Sequence, residues 1–193
     1  MTAAPLSDAR AELGEGPTYD PAADAAWWVD ITGKTLFEHR FKDAATTAHP
    51  LPRMASLAAR IDGDRQLLAM EDGLYIRAVA DGALTLLAPL EADDPATRSN
   101  DGRVHPSGAL WIGTMGKAAE KGAGAIYWAR GRDVRKLFAD VTIPNAICFS
   151  PDGATGYFAD TALNTIWRVP LGPATGLPAG DPAVFLKADR AGG

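Results

Sequence analysis

Cysteine is nearly absent: Cys148 is the one thiol in 193 residues. No internal disulfide can therefore staple the chain, and the composition suits a reducing compartment. Long apolar runs are also absent, with nothing approaching the ~18 residues a membrane helix needs. Met1 to Leu13 lack both the basic flank and the apolar stretch of a secretory leader. These absences predict a cytoplasmic chain with no membrane contact. Positive charge is in deficit, 19 Lys+Arg against 24 Asp+Glu for a net charge of −5, so no nucleic-acid partner is expected. The one basic cluster, Arg130, Arg132, Arg135 and Lys136, reads as a solvated turn.

Several chemical signatures fail on single residues. Gly33-Lys34-Thr35 ends like a phosphate-binding loop, but Trp28 stands where its first glycine belongs. Gly14-Glu15-Gly16 is followed by Tyr19 where a dinucleotide fingerprint has its third glycine. There is no G-x-S-x-G elbow and no H-E-x-x-H pair. His39, His49 and His105 stand apart in turn-like surroundings and are expected at the surface, since ligating histidines come with partners at close spacing.

What the chain does have is an ordinary globular composition, 47% hydrophobic and 22% charged, enough for one domain with a sizeable core. Glycine (20) and proline (14) fall along its whole length. Many sit in turn pairs such as Asp62-Gly63, Asp72-Gly73, Asp81-Gly82 and Asp101-Gly102. Between the turns lie short segments rich in β-branched and aromatic residues: Ala26 to Ile31, Gln66 to Met70, Leu110 to Met115 and Gly156 to Asp160. No long stretch carries helical periodicity with caps at both ends, so the fold class is all-β.

Those strands recur. Trp28, Leu68, Trp111 and Phe158 align at spacings of roughly 40 to 50 residues, each followed by a second aromatic strand containing Phe37, Tyr75, Tyr127 or Trp167. A repeat of that length built from short strands is the mark of a β-propeller, each repeat one four-stranded blade around a central channel. Four blades are expected, at 10–50, 51–92, 93–139 and 140–193, in one incomplete propeller. A β-sandwich with regular turns is the competing architecture. Trp27, Trp28, Trp111, Trp128 and Trp167 are expected between blades rather than as a sugar platform, and Cys148, in the strand pattern AICF, is expected buried and inert.

The innermost strands of a propeller line its channel, so residues entering them from different blades converge at one end of the axis. Three entries carry unusual groups. Glu15 lies between two glycines, Arg98-Ser99-Asn100-Asp101 joins a guanidinium to an amide and a carboxylate, and Asn145 follows a proline. A carboxylate with amide oxygens suits a hard divalent cation, although Asn and Asp beside Gly or Pro are also ordinary turn formers.

Four segments, LGEGPTYD (Leu13 to Asp20), SNDGRVHPSGALWIGTM (Ser99 to Met115), GAGAIYW (Gly122 to Trp128) and IPNAICFSPDG (Ile143 to Gly153), resemble the SMP-30/gluconolactonase/regucalcin-like family in the family's own order. The resemblance implies a propeller of the six-bladed type that binds one divalent cation (Ca2+, Zn2+, Mn2+, Mg2+ or Fe2+) in its channel and hydrolyses sugar lactones. It implies metal ligands at Glu15 and Asn145. It places Asn100 and Arg98 against substrate, and Glu120 as a further substrate contact. Two departures bear on this. Ala146 stands where the family has glycine, and the family's third ligand, an aspartate that is also the general base, is expected beyond Gly193. No catalytic base is therefore assigned, the nearest carboxylates, Asp160 and Asp189, lying outside a matching motif. The expectation is weak metal binding, impaired activity, and self-association through open blade edges. A non-catalytic binding scaffold and a calcium-binding protein are the alternative functions.

Overall fold

A computed structural model describes residues 4–189. These residues form four antiparallel meanders. The first contains β1 (Gly14–Asp20), β2 (Ala25–Asp30), β3 (Thr35–Arg40) and β4 (Ala45–Pro50). The second contains β5 (Ala55–Arg60), β6 (Arg65–Met70), β7 (Gly73–Ala78) and β8 (Leu84–Pro89). β9 (Thr97–Val104), β10 (Leu110–Gly116), β11 (Gly124–Arg130) and β12 (Asp133–Val141) make the third. The fourth has β13 (Pro144–Phe149), β14 (Thr155–Asp160), β15 (Thr165–Pro170) and β16 (Ala183–Lys187), with one 3-10 turn at Thr161–Leu163.

The first strand of each sheet packs against the first strand of the next, so the sheets stand as four blades in a β-propeller arrangement. The strands are short because the turns are frequent and tight. In blade 1 the hairpins end on Asp24, Lys34 and Ala44, with φ of 46°, 50° and 50°, the left-handed backbone that lets a short loop follow the twist of its strands. No helix among the described residues is long and apolar enough to cross a membrane.

The core lies between blades, in three apolar layers. Trp27, Val29, Leu36, Ala55, Leu68 and Met70 fill the first, between blades 1 and 2. Leu57, Leu74, Leu90, Leu110, Ile112 and Tyr127 fill the second. Trp111, Ile126, Trp128, Ile147, Phe158 and Val169 fill the third. Each sheet is thus apolar on the faces it turns to its neighbours, and no blade buries its side chains alone. On β16, Val184, Phe185 and Leu186 are exposed.

Blades 1 and 4 repeat one another in detail. Trp28 stacks on Phe37 across β2 and β3 at 5.3 Å, and Phe158 stacks on Trp167 across β14 and β15 at 5.2 Å. Asp30, ending β2, accepts the N–H groups of Glu12 and Leu13, and Asp160, ending β14, accepts those of Thr142 and Ile143. Both carboxylates fasten the chain entering an innermost strand to the strand beside it. Blade 3 departs from this pattern, which corrects the alignment of Trp111 with Trp28. The residue opposite the β9 bulge is Gly113, whose added Cβ would lie 2.5 Å from Pro144 Cγ. No aromatic ring fits there. Trp111 instead lies fully buried toward blade 4, and its Nε1 donates to Gly176 O at 2.9 Å.

Two further expectations are corrected. His39 and His105 are 4% and 1% exposed, not surface residues. His105 Nε2 lies 2.9 Å from Gly153 O and Nδ1 accepts the Ser107 N–H at 3.0 Å. Its ring thereby joins blade 3 to the β13–β14 turn of blade 4, a tertiary contact that no local turn pattern encodes. Cys148 is exposed. A β-bulge between Asn145 and Cys148 adds a residue to β13, which turns Ile147 into the core and Cys148 out of it.

Candidate functional site

The four innermost strands start at one end of the propeller axis, and each carries a bulge near its start. In β1 the irregularity follows Glu15, which pairs with Val29; in β13 it follows Asn145, which pairs with Ala159. Each of these polar residues precedes a left-handed residue, Gly16 (φ 59°) and Ala146 (φ 55°). Identical register in blades 1 and 4 therefore brings a carboxylate and an amide to equivalent points of the channel mouth. Gly16 is needed there on two counts: its φ is positive, and an added Cβ would stand 2.6 Å from Ser56 O of the neighbouring blade.

Arg98 and Asn100 enter from β9. Arg98 is 8% exposed, and its Nη1 donates to Ser99 O at 2.9 Å and to Asn100 Oδ1 at 2.8 Å. Burial lowers the Arg98 pKa from its ordinary value, and the nearby charge of Glu15 opposes that shift. Asn100 Nδ2 donates to Pro144 O at 2.8 Å, so both ends of its amide are engaged and its orientation is set. Asn145 Nδ2 donates to Thr161 Oγ1 at 3.1 Å, which leaves the Asn145 amide oxygen free as an acceptor. Beneath them Ser56 Oγ donates to Ser99 Oγ at 2.8 Å, and Ser99 Oγ donates to Ala69 O at 3.2 Å, tying blade 2 to blade 3.

Of the five expected site residues, Arg98 and Asn100 are linked to each other and to the Pro144 carbonyl beside Asn145 by hydrogen bonds, and Glu15 holds in β1 the register that Asn145 holds in β13. Glu120 stands apart from their hydrogen bonds. It lies exposed in the loop after β10, where its Oε2 accepts the Ala118 N–H at 3.1 Å and its carboxylate folds over Gly116. Asp160 is 1% exposed and accepts from Thr142, Ile143 and Ala162, so it is spent on backbone and does not reach the channel as a base. Asp101, next to Asn100 on β9, has a role that the sequence pattern does not signal. Its Oδ2 accepts the Ile147 N–H of blade 4 at 2.6 Å, and burial raises its pKa above the ordinary value while that bond and the one from Gly102 oppose the rise.

The donor set decides what kind of ion these residues suit. A carboxylate and a free amide oxygen are hard donors of the type Ca2+, Mg2+ and Mn2+ prefer. Among the described residues no group of three or more His, Cys, Asp or Glu gathers at a point that would hold a metal. Although its side chain is exposed, partial desolvation by its neighbours raises the Cys148 thiol above its ordinary pKa, and the Arg103 charge opposes the rise.

A family model described as the SMP-30/Gluconolactonase/LRE-like region matches residues 13–192. The chain belongs to this family. A Rhizobium meliloti (strain 1021) protein provisionally named a sugar lactone lactonase is 55% identical over 180 residues, which cover 93% of this chain and 61% of that protein. An Azospirillum brasilense L-arabinolactonase is 35% identical over 175 residues, covering 84% of this chain and 55% of the relative. Among solved structures, a calcium-binding protein named regucalcin from Agrobacterium tumefaciens strain C58 superposes with a TM-score of 0.95 at 54% identity, over 96% of this chain and 63% of that one. The chain spans about three fifths of the length of these family members.

Proposed function

We propose that this channel mouth is the cation- and substrate-binding end of a divalent-metal-dependent sugar lactonase. The observation that carries the reading is the shared register of Glu15 and Asn145 at matching bulges of blades 1 and 4, with the ordered Arg98–Asn100 pair between them. Glu15 would hold the cation through its carboxylate and Asn145 through its amide oxygen. A bound divalent cation supplies Lewis-acid polarisation of an ester carbonyl. Arg98, with a guanidinium anchored on one side, offers its remaining N–H groups to sugar hydroxyls. Asn100 holds that guanidinium on one side and the Pro144 carbonyl on the other, which keeps the donors in place before substrate arrives. Burial of Arg98 strengthens each of these bonds relative to water. In the overall reaction water adds to the lactone carbonyl and the ring C–O bond breaks, giving a hydroxy acid.

Cation binding tests the reading. Mn2+ bound to the chain, measured by water-proton relaxation, is expected to weaken at least about 10-fold in Glu15→Gln and in Asn145→Ala. Unchanged binding in both variants would refute the assignment and favour the scaffold reading. The catalytic half is tested by the ring opening of glucono-1,5-lactone with and without chelator. Cation binding with no chelator-sensitive rate would leave the second reading, a calcium-binding protein, which the regucalcin relative described as calcium-binding favours.

A further inference from the structure

Asn145 reaches the channel from a stretch of backbone that has no regular reason to hold still. It opens a β-bulge, the next residue, Ala146, carries a Cβ at φ 55°, and its side chain has one partner, the Thr161 hydroxyl. A strand with an extra residue loses ladder bonds at the bulge, and an L-residue in the left-handed region is held there only by its surroundings. Those surroundings are two adjacent residues of blade 3. Asn100 Nδ2 donates to the carbonyl of Pro144, the residue before Asn145, and Asp101 Oδ2 accepts the N–H of Ile147, two residues after it. Both bonds cross from β9 to β13, and together they bracket the bulge.

We infer that Asp101 is a positioning residue for the cation site: its carboxylate clamps the Ile147 N–H and so fixes the bulge that presents Asn145. The inference rests on the reading of Glu15 and Asn145 as cation ligands. Blade 1 shows by contrast why the blade 4 bulge needs a clamp. There the bulge residue is Gly16, which adopts φ 59° without strain and is wedged against Ser56 O. Where glycine is replaced by Ala146, an added side-chain acceptor holds what backbone preference does not. Asp101 touches neither of the proposed ligands, so it acts through the backbone of β13.

The distinguishing feature of a backbone clamp is that it needs an acceptor oxygen and not a charge. Asp101→Asn keeps an amide oxygen able to accept the Ile147 N–H, whereas Asp101→Ala removes it. Mn2+ affinity of the 193-residue chain is expected to fall about 10- to 100-fold in Asp101→Ala and to stay within about 3-fold of wild type in Asp101→Asn. Amide hydrogen exchange without metal gives an independent readout: Ile147 should be protected in wild type and Asp101→Asn, and should exchange at least about 10-fold faster in Asp101→Ala. Equal losses in the two variants would mean that the charge matters and would overturn the clamp, as would wild-type affinity in Asp101→Ala. If Asp101→Ala fails to fold, Asp101→Asn keeps the test open: lost affinity or lost Ile147 protection in that variant would overturn the clamp. Absence of Mn2+ binding by the wild-type chain would overturn the ligand assignment first and the cation role of Asp101 with it. Binding by wild type with no difference in Asp101→Ala overturns the clamp alone.

Discussion

Gly16 and Ala146 occupy the same place in blades 1 and 4 and the same region of backbone space, so exchanging their residue types is a matched experiment on the site. In Gly16→Ala, a Cβ at φ 59° costs about 1–2 kcal/mol. The overlap with Ser56 O at 2.6 Å adds about 1–3 kcal/mol, because a backbone carbonyl cannot swing away as a side chain can. Reduced freedom of the unfolded chain returns about 0.4–1 kcal/mol. The net expectation is a destabilisation of about 2–4 kcal/mol. Ala146→Gly removes the same backbone strain with no overlap to relieve and concedes the same unfolded-state term, so it should stabilise by about 0.5–1 kcal/mol. At about 2–4 °C per kcal/mol for a chain of this size, the first variant melts well below wild type and the second slightly above. Urea unfolding followed by the fluorescence of the buried Trp27, Trp111 and Trp128 measures both. A neutral Gly16→Ala, or an Ala146→Gly that loses stability, would refute the account of the bulges.

Asp30 predicts a pH dependence of stability. Its burial alone would raise the carboxyl, but the N–H groups of Gly33, Glu12 and Leu13 and the Thr32 hydroxyl outweigh that and hold it below its ordinary value. A depressed native pKa gives stability that is present above the unfolded value of about 3.9 and is lost as pH falls through the native value. Urea midpoints measured downward from pH 5 should therefore fall, and the fall should be shallower in Asp30→Asn; equal slopes would refute it. Trp111→Phe should cost about 2–4 kcal/mol, since it leaves Gly176 O without its donor and opens space in the third layer. A loss below about 1 kcal/mol in urea unfolding would show that this bond and the packing around it contribute little.

Much of the blade architecture was legible in the sequence because a repeat with turn pairs between short aromatic strands reports local geometry that each blade satisfies by itself. The strands at Gln66 to Met70 and Gly156 to Asp160 needed nothing else. Glu15, beside two glycines, and Asn145, after a proline, stand out as polar groups at the start of an innermost strand, while Arg98 and Asn100 take their expected roles from the family resemblance. Where the reading went astray, contacts between blades intervened. His105 resembles a turn residue until the Gly153 carbonyl of the next blade covers it. Cys148 follows the alternation of a regular strand until one inserted residue reverses the sides. Trp111 was aligned with Trp28 because spacing carries no information about Pro144, which leaves room only for Gly113.

The sequence by itself determined the all-β class and the four repeats, since side-chain periodicity and turn chemistry are local properties of the chain. Only the tertiary structure decided that Glu15 and Asn145 stand in equal register, that the amide of Asn100 is spent on Arg98 and Pro144, and that Asp101 reaches Ile147. Those relations depend on how one blade lies against the next, and that placement comes from the packing of apolar layers whose members are distant along the chain.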